Sequence, residues 1–212
     1  SMLRQEVEIL SGNVRVAGEL TMAENALGVV VFAHGSGSSR FSPRNQYVAS
    51  VLQSAGLATL LLDLLTEMEA QDRQKVFDVV LLAQRLRAAK AWLAEQAETR
   101  SLALGYFGAS TGAAAALIAA AQEPSGVQAI VSRGGRPDLA SEYLPLVEAP
   151  TLLIVGERDY DVLELNKRAA QLLRCPYELF IVPGATHLFP EPGALEKVAE
   201  LSRDWFLRYL SS

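Results

Sequence analysis

Gly105-Tyr106-Phe107-Gly108-Ala109-Ser110-Thr111-Gly112 runs without a break into Ala113-Ala114-Ala115-Ala116-Leu117. An apolar run, a Gly-x-Ser-x-Gly turn and a small-residue helix form the strand–turn–helix signature that stands a serine hydroxyl clear of a sheet. The flanking glycines fit because a Cβ at 108 or 112 would press on the neighbouring strand or helix. The expected strand before the turn is Ser101 to Gly105, and the expected helix after it begins at Ala113. A pentapeptide of this kind also occurs by chance, so its weight depends on the rest of the chain.

Outward from this turn, two kinds of segment alternate. Short apolar runs lie at Gly28 to Ala33, Ala58 to Leu62, Ala129 to Val131, Thr151 to Val155 and Tyr177 to Val182. Their lack of polar alternation predicts strands covered on both faces, as in a parallel sheet. Between them lie helical stretches. Arg44 to Ala55 would pack Tyr47, Val48, Val51 and Leu52 and end at Gly56. Phe77 to Glu98 would pack Val80, Leu81, Leu86, Trp92 and Leu93, with Lys and Arg on the opposite side. Asp161 to Leu173, N-capped by Asp161, and Ala194 to Leu210, docking through Leu195, Val198, Trp205 and Phe206, complete the set. The opening differs: Gln5 to Leu10 and Val14 to Thr21 alternate around Ser11-Gly12-Asn13, a hairpin signal. The expectation is one domain over residues 1–212, a three-layer α/β sandwich whose mostly parallel sheet begins with an antiparallel hairpin. Asp63 to Lys75 reads as a surface loop near the site. The stretch from Gly134 to Pro150 is too short for a cap domain.

Composition narrows the classes. The chain has 212 residues, half of them hydrophobic, with 19 Lys and Arg against 24 Asp and Glu and a net charge of −5. No basic cluster argues for nucleic acid, and no apolar stretch approaches the ~20 residues that span a bilayer. Two histidines and one cysteine are too few for a His/Cys metal site. We therefore expect no metal, no cofactor, no nucleic-acid partner and no membrane partner. The lone Cys175 cannot form an internal disulfide, which favours a reducing, cytoplasmic setting, and it reads as a buried filler between helix and strand. Ser1-Met2 resembles a tag-removal scar, with no signal pattern behind it. An apolar final helix or an edge strand could pair two copies as a homodimer.

In a parallel sheet, function gathers beyond the carboxyl ends of the strands. There stand His34-Gly35-Ser36-Gly37, then Ser110, then Ser132 to Arg136, then Gly156-Glu157-Arg158-Asp159, then Pro183-Gly184-Ala185-Thr186-His187. A nucleophile, an acid and a base thus follow in the order Ser110, Asp159, His187, which is the α/β-hydrolase order. The chain resembles the dienelactone hydrolase-like group of α/β-hydrolases over nearly its whole length. The resemblance rests on His-Gly-x-Gly, Gly-x-Ser-x-Gly, Gly-x-x-Asp and Gly-x-x-His, each at its strand end. One departure matters: dienelactone hydrolases carry cysteine where Ser110 stands, so a serine esterase fits better than the family's dienelactone activity.

The resemblance implies Ser110 as nucleophile, His187 as general base and Asp159 as its orienting acid. It implies the Thr111 and Ser36 N–H groups as the oxyanion hole. His34 is expected to brace that loop. Gly35, Gly37 and Arg133 are the candidate substrate contacts, with Arg133 or Arg136 pairing an anionic group; Arg40 and Arg44 raise the same question, and pairing of an arginine to Asp138 or Glu142 is the alternative. The expected activity is hydrolysis of a small ester, lactone or thioester through an acyl-enzyme. A peptidase, an acyltransferase, a perhydrolase or a non-catalytic binding protein on the same scaffold remain open alternatives.

Overall fold

Eight strands form one sheet in the order β1-β2-β4-β3-β5-β6-β7-β8 in a computed structural model that describes residues 2–211. Ser1, half of the expected tag scar, lies outside the described residues. The hairpin β1 (Met2–Ser11) and β2 (Val14–Ala23) is antiparallel, and β2 meets β4 (Ala58–Leu62) antiparallel. Every other pairing is parallel, through β3 (Val29–Ala33), β5 (Leu104–Ala109), β6 (Val127–Arg133), β7 (Thr151–Gly156) and β8 (Tyr177–Val182).

Helices cover both faces. On one lie α1 (Pro43–Ser54) and α6 (Ala194–Leu210), over a core that takes Val30 and Phe32 of β3 and Phe107 of β5. On the other lie α3 (Val79–Glu95), α4 (Thr111–Gln122) and α5 (Tyr160–Ala170), over Val29, Val31 and Tyr106. Successive side chains of each inner strand therefore enter opposite cores, which is why the strands read as unbroken apolar runs. Helix α4 is buried from Thr111 to Ala121. Its alanines let a helix lie sandwiched between sheet and α3 on every side. This is the three-layer α/β-hydrolase arrangement with no separate cap: among the described residues, 134–150 holds only two short 3-10 turns, Pro137–Ala140 and Leu144–Leu146.

Several boundaries differ from the sequence reading, each for a local reason. Strand β5 begins at Leu104, not Ser101, because residues 99–102 form a turn in which the Leu102 N–H donates to Thr99 O and Thr99 Oγ1 donates to Leu93 O. It continues to Ala109, and β6 continues to Arg133, so Arg133 ends a strand instead of following one. Helix α3 starts at Val79, where the Asp78 carboxylate caps the Leu81 N–H at 3.0 Å. Its core face is Leu82, Leu86, Ala89 and Leu93; Val80 is exposed, Leu81 and Trp92 are half-buried, and Arg85 points inward. On α1, Tyr47 is exposed while Val48 and Leu52 are buried. Cys175 is half-buried, its Sγ 3.8 Å from Thr151 Oγ1.

The expected surface loop 63–75 is instead folded. It holds a 3-10 turn, Glu69–Gln71, and the short helix α2 (Arg73–Val76). Arg85 explains the fold of this segment: its guanidinium grips both Glu69 oxygens, at 2.7 and 2.9 Å, and donates to Leu64 O. That grip, with burial opposing it, holds the Glu69 carboxyl down at about 2.

Candidate active site

The turn between β5 and α4 places Ser110 at φ 54°, ψ −121°, a conformation that residues with a side chain rarely adopt. The surroundings hold it there. The Ser110 N–H donates to Arg133 O on β6, and the Ser110 carbonyl accepts from both Ala113 N and Arg136 N. A Cβ at Gly108 would sit 2.4 Å from Ala113 Cα, and one at Gly112 would sit 2.2 Å from Ala33 O. Neither position has room for alanine, because the opposing atoms are backbone. Two glycines thus let strand, turn and helix close around one serine.

The loop after β3 runs against this turn, and a Cβ at Gly35 would meet Ser110 Cβ at 3.1 Å. His34 braces it as expected. Its Nδ1 donates to Gly35 O at 2.8 Å and its Nε2 accepts the Leu64 N–H at 3.0 Å. Both nitrogens are committed to backbone, and burial lowers the pKa, keeping the ring neutral. Thr111, buried directly after Ser110, is the first residue of α4, where an N–H has no carbonyl one turn back to bond.

Asp159 and His187 come together from the ends of β7 and β8. His187 Nδ1 and Asp159 Oδ2 are 2.7 Å apart, the carboxylate largely buried and the imidazole partly open to the cleft. Asp159 rather than Asp161 occupies the N-cap position of α5, yet its side chain makes no capping bond. The carboxylate is turned to the imidazole instead, and Asp161 lies in the first helical turn. The His187 loop is pinned by Glu191, which accepts the Thr186 N–H at 3.0 Å and the Thr186 hydroxyl at 2.6 Å. Those bonds lower the Glu191 pKa. Nothing in the sequence singled out Glu191.

A cleft of about 430 Å³ joins these parts. Ser110, His187 and Leu188 line it together with Gly35, Ser36 and Gly37 on the loop side. Ser42, Arg44 and Asn45, at the start of α1, and Arg133 also line it. Ser42 caps α1 by accepting the Asn45 N–H at 3.3 Å. The four candidate arginines separate clearly. Arg136 is held by both oxygens of Asp138, and Arg40 pairs with Asp63. Arg133 is buried, with Nη2 donating to Asn45 Oδ1 at 3.2 Å. Burial, followed by the nearby charge of Arg44, pushes its pKa down to about 10. Asn45, missed at the sequence level, is betrayed only by the Ser42-Pro43 helix start three residues before it.

Comparison with known proteins places this chain among relatives. The sequence profile of the dienelactone hydrolase family matches residues 16–211. The crystal structure of a dienelactone hydrolase from Anabaena variabilis superposes with a TM-score of 0.96 at 54% identity, covering 99% of each chain. Est1E from Butyrivibrio proteoclasticus shares the fold at a TM-score of 0.82 and 16% identity, over 96% of this chain and 98% of that one. A Mycobacterium tuberculosis protein bearing a provisional phosphoribosyl transferase name is 60% identical over 206 residues. That match takes in 97% of this chain and 46% of the relative, so the chain spans about half the length of these curated relatives.

Proposed function

The chain belongs to the dienelactone hydrolase family, and from that premise we propose that it is a serine hydrolase cleaving small carboxylic esters, lactones or thioesters through an acyl-enzyme. Ser110 Oγ attacks the acyl carbon while His187 Nε2 takes its proton. Asp159, bonded to Nδ1, holds the tautomer that leaves Nε2 free to accept, and stabilises the imidazolium that forms. The Thr111 and Ser36 N–H groups receive the oxyanion of the tetrahedral intermediate. The imidazolium then protonates the leaving alcohol or thiol. Water, deprotonated by the same imidazole, releases the acid and restores the serine. Gly35, Gly37 and Arg133 border the acyl group.

One observation carries this reading: the 2.7 Å contact of Asp159 with an imidazole that opens on the same cleft as the strained Ser110. The uncapped, 430 Å³ cleft favours short, polar acyl groups over long lipid chains. Hydrolysis of p-nitrophenyl acetate should show a burst of about one nitrophenolate per protein, absent from Ser110→Ala. Undiminished turnover by Ser110→Ala would refute the assignment.

A further inference from the structure

We propose that Arg44 and Arg133 form an oxyanion subsite beside Ser110, built for a phosphate monoester group carried by the substrate.

Charge balance in the cleft points to it. Arg4, Arg40, Arg85, Arg87, Arg136 and Arg203 each pair with a carboxylate. Among the described residues, the arginines without a carboxylate partner are solvent-exposed except Arg44 and Arg133, and no aspartate or glutamate lines the cleft of these two. Arg133 is only 5% exposed, and its side chain bonds only the neutral Asn45. Its Nε and that of Arg44 are buried without a partner, as are those of Arg40, Arg85 and Arg87, but these three have a carboxylate on the rest of the guanidinium. A buried guanidinium left unpaired is costly, and here its neighbour repels it. An anion in the cleft would offset both costs at once.

The arrangement also limits which anion fits. Two uncompensated positive charges, close enough to repel each other, line one 430 Å³ space. A carboxylate balances one of them, whereas a phosphate monoester, at about −1.5 to −2 near neutral pH, balances both. Planar guanidinium forks match phosphate oxygens two at a time. Asn45 fixes the Arg133 fork at 3.2 Å, so its orientation is set before any ligand arrives. Helix α1 starts at the same cleft, at Ser42, and adds the positive end of its dipole. That the phosphate belongs to an ester substrate rests on the function proposed above. The capture of the anion does not, and the experiment keeps the two apart.

Isothermal titration of the wild-type protein with phenyl phosphate, benzoate and inorganic phosphate tests the subsite directly. Phenyl phosphate should bind at least about tenfold more tightly than benzoate, and more tightly than inorganic phosphate because its ring occupies the rest of the cleft. Arg44→Gln and Arg133→Gln should each weaken phenyl phosphate by about tenfold or more while leaving benzoate less affected. Arg44 is only half-buried, so Arg44→Gln decides the matter if the Arg133 variant fails to fold. Benzoate binding as tightly as phenyl phosphate, or phenyl phosphate binding that survives Arg44→Gln, would overturn the proposal. Inorganic phosphate binding the more tightly would overturn the substrate-borne assignment. Phosphate capture by a protein inert toward p-nitrophenyl acetate would instead count against the hydrolase reading alone.

Discussion

Replacing Ser110 by glycine should make the protein more stable while removing its proposed nucleophile. At φ 54°, ψ −121°, Ser110 sits where a Cβ is poorly tolerated, and such strain costs about 1–3 kcal/mol. Glycine relieves it but frees the unfolded chain, which takes back about 0.5–1 kcal/mol. The net gain is therefore of order 1 kcal/mol, or about 2–4 °C in Tm for a chain of this size. Ser110→Ala is the control, since alanine loses the hydroxyl and keeps the Cβ. Scanning calorimetry of the three proteins should rank Ser110→Gly above both wild type and Ser110→Ala. A glycine variant melting at or below the alanine variant would show that the turn stores no strain for a Cβ to feel, and the elbow geometry would lose its energetic basis.

Two other substitutions separate chemistry from scaffold. Asp159→Asn should lower kcat by about 10⁴ while the fold persists, because the amide would offer the imidazole a donor and reverse its tautomer; steady-state kinetics beside circular dichroism would check this. Glu69 tests the folded 63–76 segment through pH. Its folded pKa, about 2, lies below the ordinary 4.5, so the stability it contributes is whole above about pH 4.5 and is lost as pH falls towards 2. Urea midpoints between pH 7 and 2.5 should fall for wild type and show a flatter course for Glu69→Gln, which begins less stable at neutral pH.

What the sequence disclosed, and what it concealed, follows from the range of the forces involved. The parallel strands were legible because burial on both faces removes polar residues from each run. The site order was legible because each proposed catalytic residue follows the end of its own strand in a short motif. The Asp159–His187 contact was inferable as a pairing, but not the competition that it wins: a carboxylate at a helix N-cap would ordinarily bond the helix, and only the fold brings an imidazole to it. Arg85 was misread as a solvent-facing residue, since its partner Glu69 lies sixteen positions back in a segment with no apolar periodicity. Likewise, the sequence presented Arg40, Arg44, Arg133 and Arg136 as equals. Arg136 takes the local partner Asp138 that the sequence offered, whereas Arg40 and Arg133 find Asp63 and Asn45 only through the fold, and the outcome leaves two of the four without a counter-charge.

Mass spectrometry after exposure to a fluorophosphonate probe tests the central claim most directly, that Ser110 is a nucleophile activated by His187. One adduct per protein is predicted, mapped to the peptide carrying Ser110, absent from Ser110→Ala and formed far more slowly in His187→Ala. An unlabelled wild-type protein, or an adduct on another residue at full rate in Ser110→Ala, would contradict it.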